Sequence, residues 1–144
     1  MGLMVKTYLY IGQTARKGRG IFTKKPVKAG TVIENAPVIV MTSEDRKLID
    51  QTLLYNYIFE WQPAGANMCC MALGNIPIYN HSYASNCEYF MDYEKHEMYI
   101  QTVRDIDAGE ELTINYNGNW NDTTPVWFEV DGDTKNKELD APKP

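Results

Sequence analysis

The chain has 144 residues, 44% of them hydrophobic and 23% charged, with a formal net charge of −5 and a pI near 5.0. That length and balance suit a domain that buries its own core without metals or disulfides. The acidic sign argues against docking on nucleic-acid phosphates, which needs clustered Lys and Arg, and matches a basic peptide instead.

In chain order, Val5 to Ile11 is rich in β-formers without a helical stripe and predicts a strand, as does Thr31 to Met41 around Pro37. Gln13 to Gly20, with Gly and basic residues, predicts a loop between them. Thr42 and Asp45 have capping-box spacing, and Leu48, Ile49, Leu53, Leu54, Tyr57 and Ile58 recur as one helical face, so a helix is predicted from Ser43 to Phe59, ending near Gln62-Pro63-Ala64-Gly65. Tyr89 to Tyr93 and Met98 to Val103 predict a hairpin, and Glu111 to Tyr116 a further strand. Val27-Lys28-Ala29-Gly30-Thr31-Val32 and Ile106-Asp107-Ala108-Gly109-Glu110-Glu111-Leu112 follow one pattern, two similar turns that each feed a strand. The fold class is therefore α+β, mostly β, in one domain over 1–130, and the polar residues 131–144 are expected to be a disordered tail.

Cys69 and Cys70 are adjacent and Cys87 stands alone, so neither a zinc site nor a disulfide is expected. An odd thiol count without a framework suits a reducing compartment, and no segment has the apolar length of a signal peptide or a membrane span. A soluble protein is expected inside the cell, cytoplasmic, or nuclear if the source is eukaryotic.

Three strings carry more information than composition does. Gly18-Arg19-Gly20-Ile21-Phe22 comes first, Asn80-His81-Ser82 with Asn86 second, and Gly109-Glu110-Glu111-Leu112-Thr113-Ile114-Asn115-Tyr116 third. In this order they resemble the SET-domain protein lysine methyltransferases, from about Gly18 to Tyr116. The resemblance implies a fold of small sheets with a C-terminal pseudoknot, in which the third string threads through a loop closed by the second. It also implies S-adenosylmethionine as cofactor and the ε-amine of a protein lysine as methyl acceptor.

Site residues follow from the same resemblance. Tyr116 matches the catalytic tyrosine. Lys17, Gly18, Arg19, Gly20, Tyr57, Asn80, His81 and Tyr116 fall where the family holds the methyl donor, the glycines because no Cβ obstructs close approach. Tyr79, Ile114 and Trp120 are expected along the lysine channel, and Ile114 stands where the family commonly has Phe or Tyr. An Ile there offers no hydroxyl to hinder later rounds, which implies di- or trimethyl-lysine as product. Tyr83 and Ser85 depart from the family pattern, which has a small residue or Cys and a Pro at those places. No cysteine follows Cys87, so the three-cysteine zinc module that often closes the channel is not expected, and Trp120, Trp127 and Phe128 are the aromatics available instead.

The implied partner is a lysine-containing basic protein or peptide, a histone tail or another basic protein, with no direct nucleic-acid or membrane binding, and a homodimer is compatible with the short form. The rival reading is an inactive SET module that binds basic peptides without turnover.

Overall fold

Short segments of alternating β-branched and aromatic residues hide one face each, so they need a second layer to cover it. The structure, a computed structural model, describes residues 2–62 and 66–126. Among these, ten strands run in chain order: β1 (Met4–Val5), β2 (Leu9–Gln13), β3 (Arg19–Thr23), β4 (Val32–Met41), β5 (Phe59–Trp61), β6 (Met68–Ala72), β7 (Asn80–His81), β8 (Cys87–Asp92), β9 (Glu97–Thr102) and β10 (Glu111–Ile114). One α-helix, α1, spans Ser43–Ile49, and 3-10 turns occupy Leu53–Asn56 and Ile76–Ile78.

The larger sheet has the order β5-β6-β4-β9-β8 with β1 also on β4, and the smaller one the order β2-β3-β10-β7. One apolar cluster draws on both, with Ile33, Met98 and Ile100 from the larger sheet and Ile21, Leu112 and Ile114 from the smaller one fully buried. Each such side chain contributes about 1.5–3 kcal/mol by leaving water. The β7–β10 pair is parallel. Parallel neighbours need a long connection, and the β8–β9 hairpin supplies it, leaving β10 inserted between β3 and β7. The two similar turns meet each other: Val27 and Ile106 form an antiparallel bridge, and Gly30 and Gly109 both take left-handed backbone, φ 79° and 83°.

The predicted helix from Ser43 to Phe59 is corrected. Its capping box is present, with Thr42 and Asp45 each accepting the other's backbone N–H, but α1 stops at Ile49 and buries none of its residues. Thr52 ends it, since its hydroxyl donates to the Ile49 carbonyl at 2.8 Å and accepts the Leu54 N–H at 3.2 Å. Such side-chain bonds compete with helical ones. Leu48, Leu53 and Leu54 remain exposed, and Phe59 joins β5, which pairs with β6. The first predicted strand is also divided, into β1 and β2, by a turn in which Leu9 N–H returns to the Lys6 carbonyl at 3.1 Å. Pro63, Ala64 and Gly65, where the helix was expected to end, lie outside the described residues, as do Trp127, Phe128 and the 131–144 tail. Among the described residues no helix is long and apolar enough to cross a membrane.

Candidate active site

The parallel pair sets the site. Its register puts Thr113 opposite Asn80 and Ile114 opposite His81, and the Ser82 N–H donates to the Ile114 carbonyl at 3.0 Å, extending the ladder. Tyr116 follows β10 and is bound at two points: its N–H donates to His81 Nδ1 at 3.0 Å, and its hydroxyl donates to the Tyr79 carbonyl at 2.9 Å. The rings of His81 and Tyr116 stand 5.0 Å apart at 49°. Since Nδ1 accepts, a neutral His81 carries its proton on Nε2.

Asn80 is 3% exposed and ties three strands, its Nδ2 donating to the Arg19 carbonyl at 2.9 Å and to Glu111 Oε2 at 2.8 Å. Gly20 lies beneath that contact. A Cβ there would stand 2.5 Å from Glu111 Oε2 and 2.9 Å from Asn80 Nδ2, so this glycine makes room for side chains of the fold itself. Gly18 takes φ 73° in the turn, where the Thr14 hydroxyl accepts the Lys17 N–H at 2.7 Å and donates to the Gly18 carbonyl at 2.8 Å.

That turn reaches the β7 segment, because the Lys17 ammonium donates to the His81 carbonyl at 3.1 Å. Arg19 stands beside the Tyr57 hydroxyl, whose titration burial raises and the guanidinium lowers. Lys17, Gly18, Arg19, Gly20, Tyr57, Asn80, His81 and Tyr116 are thus brought together from four separate stretches of chain.

Beside Tyr116 opens a cleft of about 440 Å³, walled by Tyr57, Phe59, Tyr89, Pro77 and Val126, with Arg46 and Glu60 also on its lining. Phe59 and Tyr89 meet with ring centroids 5.1 Å apart, and the Tyr89 hydroxyl donates to the Tyr116 carbonyl at 3.4 Å. Burial pushes that hydroxyl up to about 12, so it stays protonated at neutral pH. An aromatic cleft with one fixed hydroxyl can strip water from an alkylamine and hold its nitrogen.

The channel residues expected from the sequence are placed differently. Tyr79 is fully buried, its ring in the core and its hydroxyl 3.2 Å from Glu34 Oε1, so it offers the site its carbonyl and not its ring. Ile114 is equally buried in the core cluster and does not line the cleft. Trp120 is 41% exposed and absent from the lining; its carbonyl accepts from the N–H and the hydroxyl of Ser85, at 3.1 and 3.2 Å. The wall is supplied by Pro125 and Val126.

The two departures from the family pattern account for that wall. A proline at position 85 would lack the N–H that holds Trp120, and the Tyr83 hydroxyl accepts the Val126 N–H at 3.1 Å. Phe59 and Tyr89 escaped sequence reasoning, because their place in the cleft depends on the register of β5 and β8, to which no local motif points. Cys69, Cys70 and Cys87 are buried free thiols, and among the described residues no group of three or more His, Cys, Asp or Glu side chains could hold a metal ion.

A SET domain family model matches residues 18–117. A Schizosaccharomyces pombe histone-lysine N-methyltransferase, H3 lysine-37 specific, is 32% identical over 127 residues, covering 88% of this chain and 80% of its own. In fold, the chain is similar to a candidate histone methyltransferase of Plasmodium falciparum, with TM-score 0.60, 24% identity, and 78% of this chain and 99% of that one covered. It is also similar to the Neurospora SET domain protein DIM-5, a histone lysine methyltransferase, with TM-score 0.64, 23% identity, and 85% and 57% covered. With its three strings brought side by side in β3, β10 and β7, and a family model spanning all three, the chain belongs to the SET domain family of protein lysine methyltransferases.

Proposed function

We propose that this chain uses S-adenosylmethionine to methylate a lysine ε-amine in a basic protein, with Tyr116 as the catalytic residue, and carries that lysine to the di- or trimethyl state. The observation that carries this reading is the Tyr116 hydroxyl, held by the Tyr79 carbonyl beside an aromatic cleft. Its proton is committed to that carbonyl, so its oxygen presents lone pairs as an acceptor for an incoming amine.

The donor's chemistry fits the residues around Asn80. Lys17 and Arg19 supply cations for its carboxylate, and the rings of Tyr57 and Tyr116 offer electron-rich faces to a cation. When bound, it supplies an activated methyl on a sulfonium. The protein's own part is to orient and to exclude water: apolar walls of Phe59, Tyr89 and Val126 lower the lysine pKa, so that more of the amine is neutral.

Histone H3 is the substrate named for the fission-yeast relative, and a histone-like tail suits a chain of net charge −5. Such a substrate implies action inside the cell. The test is incubation with labelled donor and a panel of basic proteins, followed by mapping of the modified residue by mass spectrometry. Methyl transfer that Tyr116→Phe lowers strongly, with donor affinity retained, supports the reading; donor binding without transfer to any protein of the panel favours the inactive peptide-binding module.

A further inference from the structure

Glu34 has no part in the mechanism above, yet it is fully buried on β4 in a site built for a carboxylate. Its Oε2 accepts the Asn75 N–H at 2.6 Å, the Ile76 N–H is a further donor to it, and Oε1 accepts the Tyr79 hydroxyl at 3.2 Å. Gly74 makes room for it: φ is 68°, and a Cβ there would stand 2.5 Å from Glu34 Oε2.

These donors sit at the two ends of one short segment. Asn75 and Ile76 open the 3-10 turn Ile76–Ile78, and Tyr79 closes it, handing the chain to Asn80 and His81. The Tyr79 carbonyl is the acceptor that holds the Tyr116 hydroxyl. One carboxylate therefore pins the start of the turn through backbone N–H groups and its end through a phenol, and the carbonyl fixed at that end aims the hydroxyl in the cleft. Burial of a carboxyl without a cation beside it is unfavourable, and a fold that needed only apolar packing at this place would be served by Leu or Met.

We propose that Glu34 is a positioning residue for methyl transfer, acting through Tyr79 to set the orientation of the Tyr116 hydroxyl. The proposal rests on the assignment of Tyr116 to catalysis. Burial raises the Glu34 carboxyl from its ordinary 4.5 to about 7, against the three hydrogen bonds that lower it. Near neutral pH it is thus poised between accepting from the Tyr79 hydroxyl as an anion and presenting a proton of its own. The groups that face it are the Asn75 and Ile76 amides and the neutral Tyr79 phenol, with Tyr8 and Cys87 acting on Tyr79.

The test uses the full chain with Glu34→Gln, Glu34→Ala and Tyr79→Phe, read in two independent ways. In steady-state methylation of the best basic protein substrate, Tyr79→Phe is expected to lower kcat about tenfold, and Glu34→Ala by about tenfold to a hundredfold, with donor Kd within twofold of wild type. Glu34→Gln, which keeps an acceptor for the two amides, is expected to recover most of the kcat that Glu34→Ala loses. Tyrosine labelled with 13C at the ring Cζ gives the second readout, with the Tyr116 signal identified by its loss in Tyr116→Phe. That signal is expected to shift in Glu34→Ala and Tyr79→Phe without any ligand present. Should Glu34→Ala fail to fold, Tyr79→Phe alone decides. An unmoved Tyr116 resonance, or a kcat that falls only in step with donor affinity, overturns the proposal. A moved resonance in a protein that methylates nothing upholds the positioning and overturns the catalytic assignment instead.

Discussion

Asn86→Ala is expected to cost more stability than any surface substitution near it, and the reason lies in two strands that one side chain holds together. Asn86 is 2% exposed; its Oδ1 accepts the Thr113 N–H at 2.8 Å, and its Nδ2 donates to the Glu111 carbonyl at 2.8 Å and to Glu110 Oε2 at 3.2 Å. Alanine removes both amide partners and leaves a buried N–H and a buried carbonyl on β10 without replacement. Each such orphan costs about 1–3 kcal/mol, so the loss should be about 2–6 kcal/mol. A domain of this size loses roughly 4 °C of Tm per kcal/mol, which puts the shift at roughly 8–24 °C. Thermal and urea unfolding followed by circular dichroism would measure it, with Arg104→Ala as the control, since the Arg104–Glu110 pair at 2.9 Å is well exposed and worth less than about 1 kcal/mol. Asn86→Asp keeps the acceptor for Thr113 but sets a carboxylate against Glu110 and the Glu111 carbonyl, so it should destabilise as well. A loss below about 1 kcal/mol for Asn86→Ala would show that β10 is held by its backbone ladder alone and would refute this account of the threaded pair.

Gly20→Ala should weaken donor binding at least tenfold while leaving a folded protein, because a Cβ at 2.5 Å from Glu111 Oε2 displaces the Asn80 amide from the Arg19 carbonyl; titration calorimetry would decide, and unchanged affinity would separate Asn80 from the donor site. Stability should fall as pH rises from about 4.5 to about 7: the folded protein keeps the Glu34 proton that the unfolded chain has lost, so the contribution is full below 4.5, lost through about 7, and amounts to about 3 kcal/mol. Glu34→Gln should remove that slope in denaturant titrations across this range, and an unaltered slope would mean that other groups carry it. The unmodified chain should yield di- or trimethyl-lysine in mass spectra, and monomethyl product alone would end that expectation. Ile114→Tyr is less informative than its position suggested, since Ile114 is fully buried and a larger ring there strains the core.

The parts of the site that could be read in the sequence are those whose chemistry is local. The capping box at Thr42 and Asp45, the hairpin around Glu94 to Glu97 and the glycine turns at Gly30 and Gly109 each depend on residues within a few positions of one another, and each forms. The helix beyond Ile49 was misread because the apolar spacing of Leu48, Leu53 and Leu54 is a necessary feature of a buried face and not a sufficient one; a single threonine at position 52 turns the chain before that face can pack. Tyr79 was misread for a related reason. Adjacency to Asn80 places its backbone at the site, whereas the direction of its ring is set by the core and by Glu34, forty-five residues away.

The same distinction between backbone and side chain explains why polar side chains are buried beside Ile21, Leu112 and Ile114 in the smaller sheet. Asn80, Asn86, Glu111 and His81 tie β3, β7, β10 and the segments beside them to one another, and their partners include four backbone groups, the carbonyls of Arg19 and Glu111 and the N–H groups of Thr113 and Tyr116. A slip by two residues would keep apolar side chains on the same face, but a carboxamide that must meet one N–H and one carbonyl does not allow it. Parallel pairing of a two-residue strand has too few ladder bonds to fix its own register. The amide side chains fix it instead, and with it the offset between His81 and Tyr116 on which the aim of the hydroxyl depends. The Asn-His-Ser string and the Glu-Glu-Leu-Thr string are therefore first a registration device between two segments far apart in sequence, and the chemistry at Tyr116 is placed by that registration.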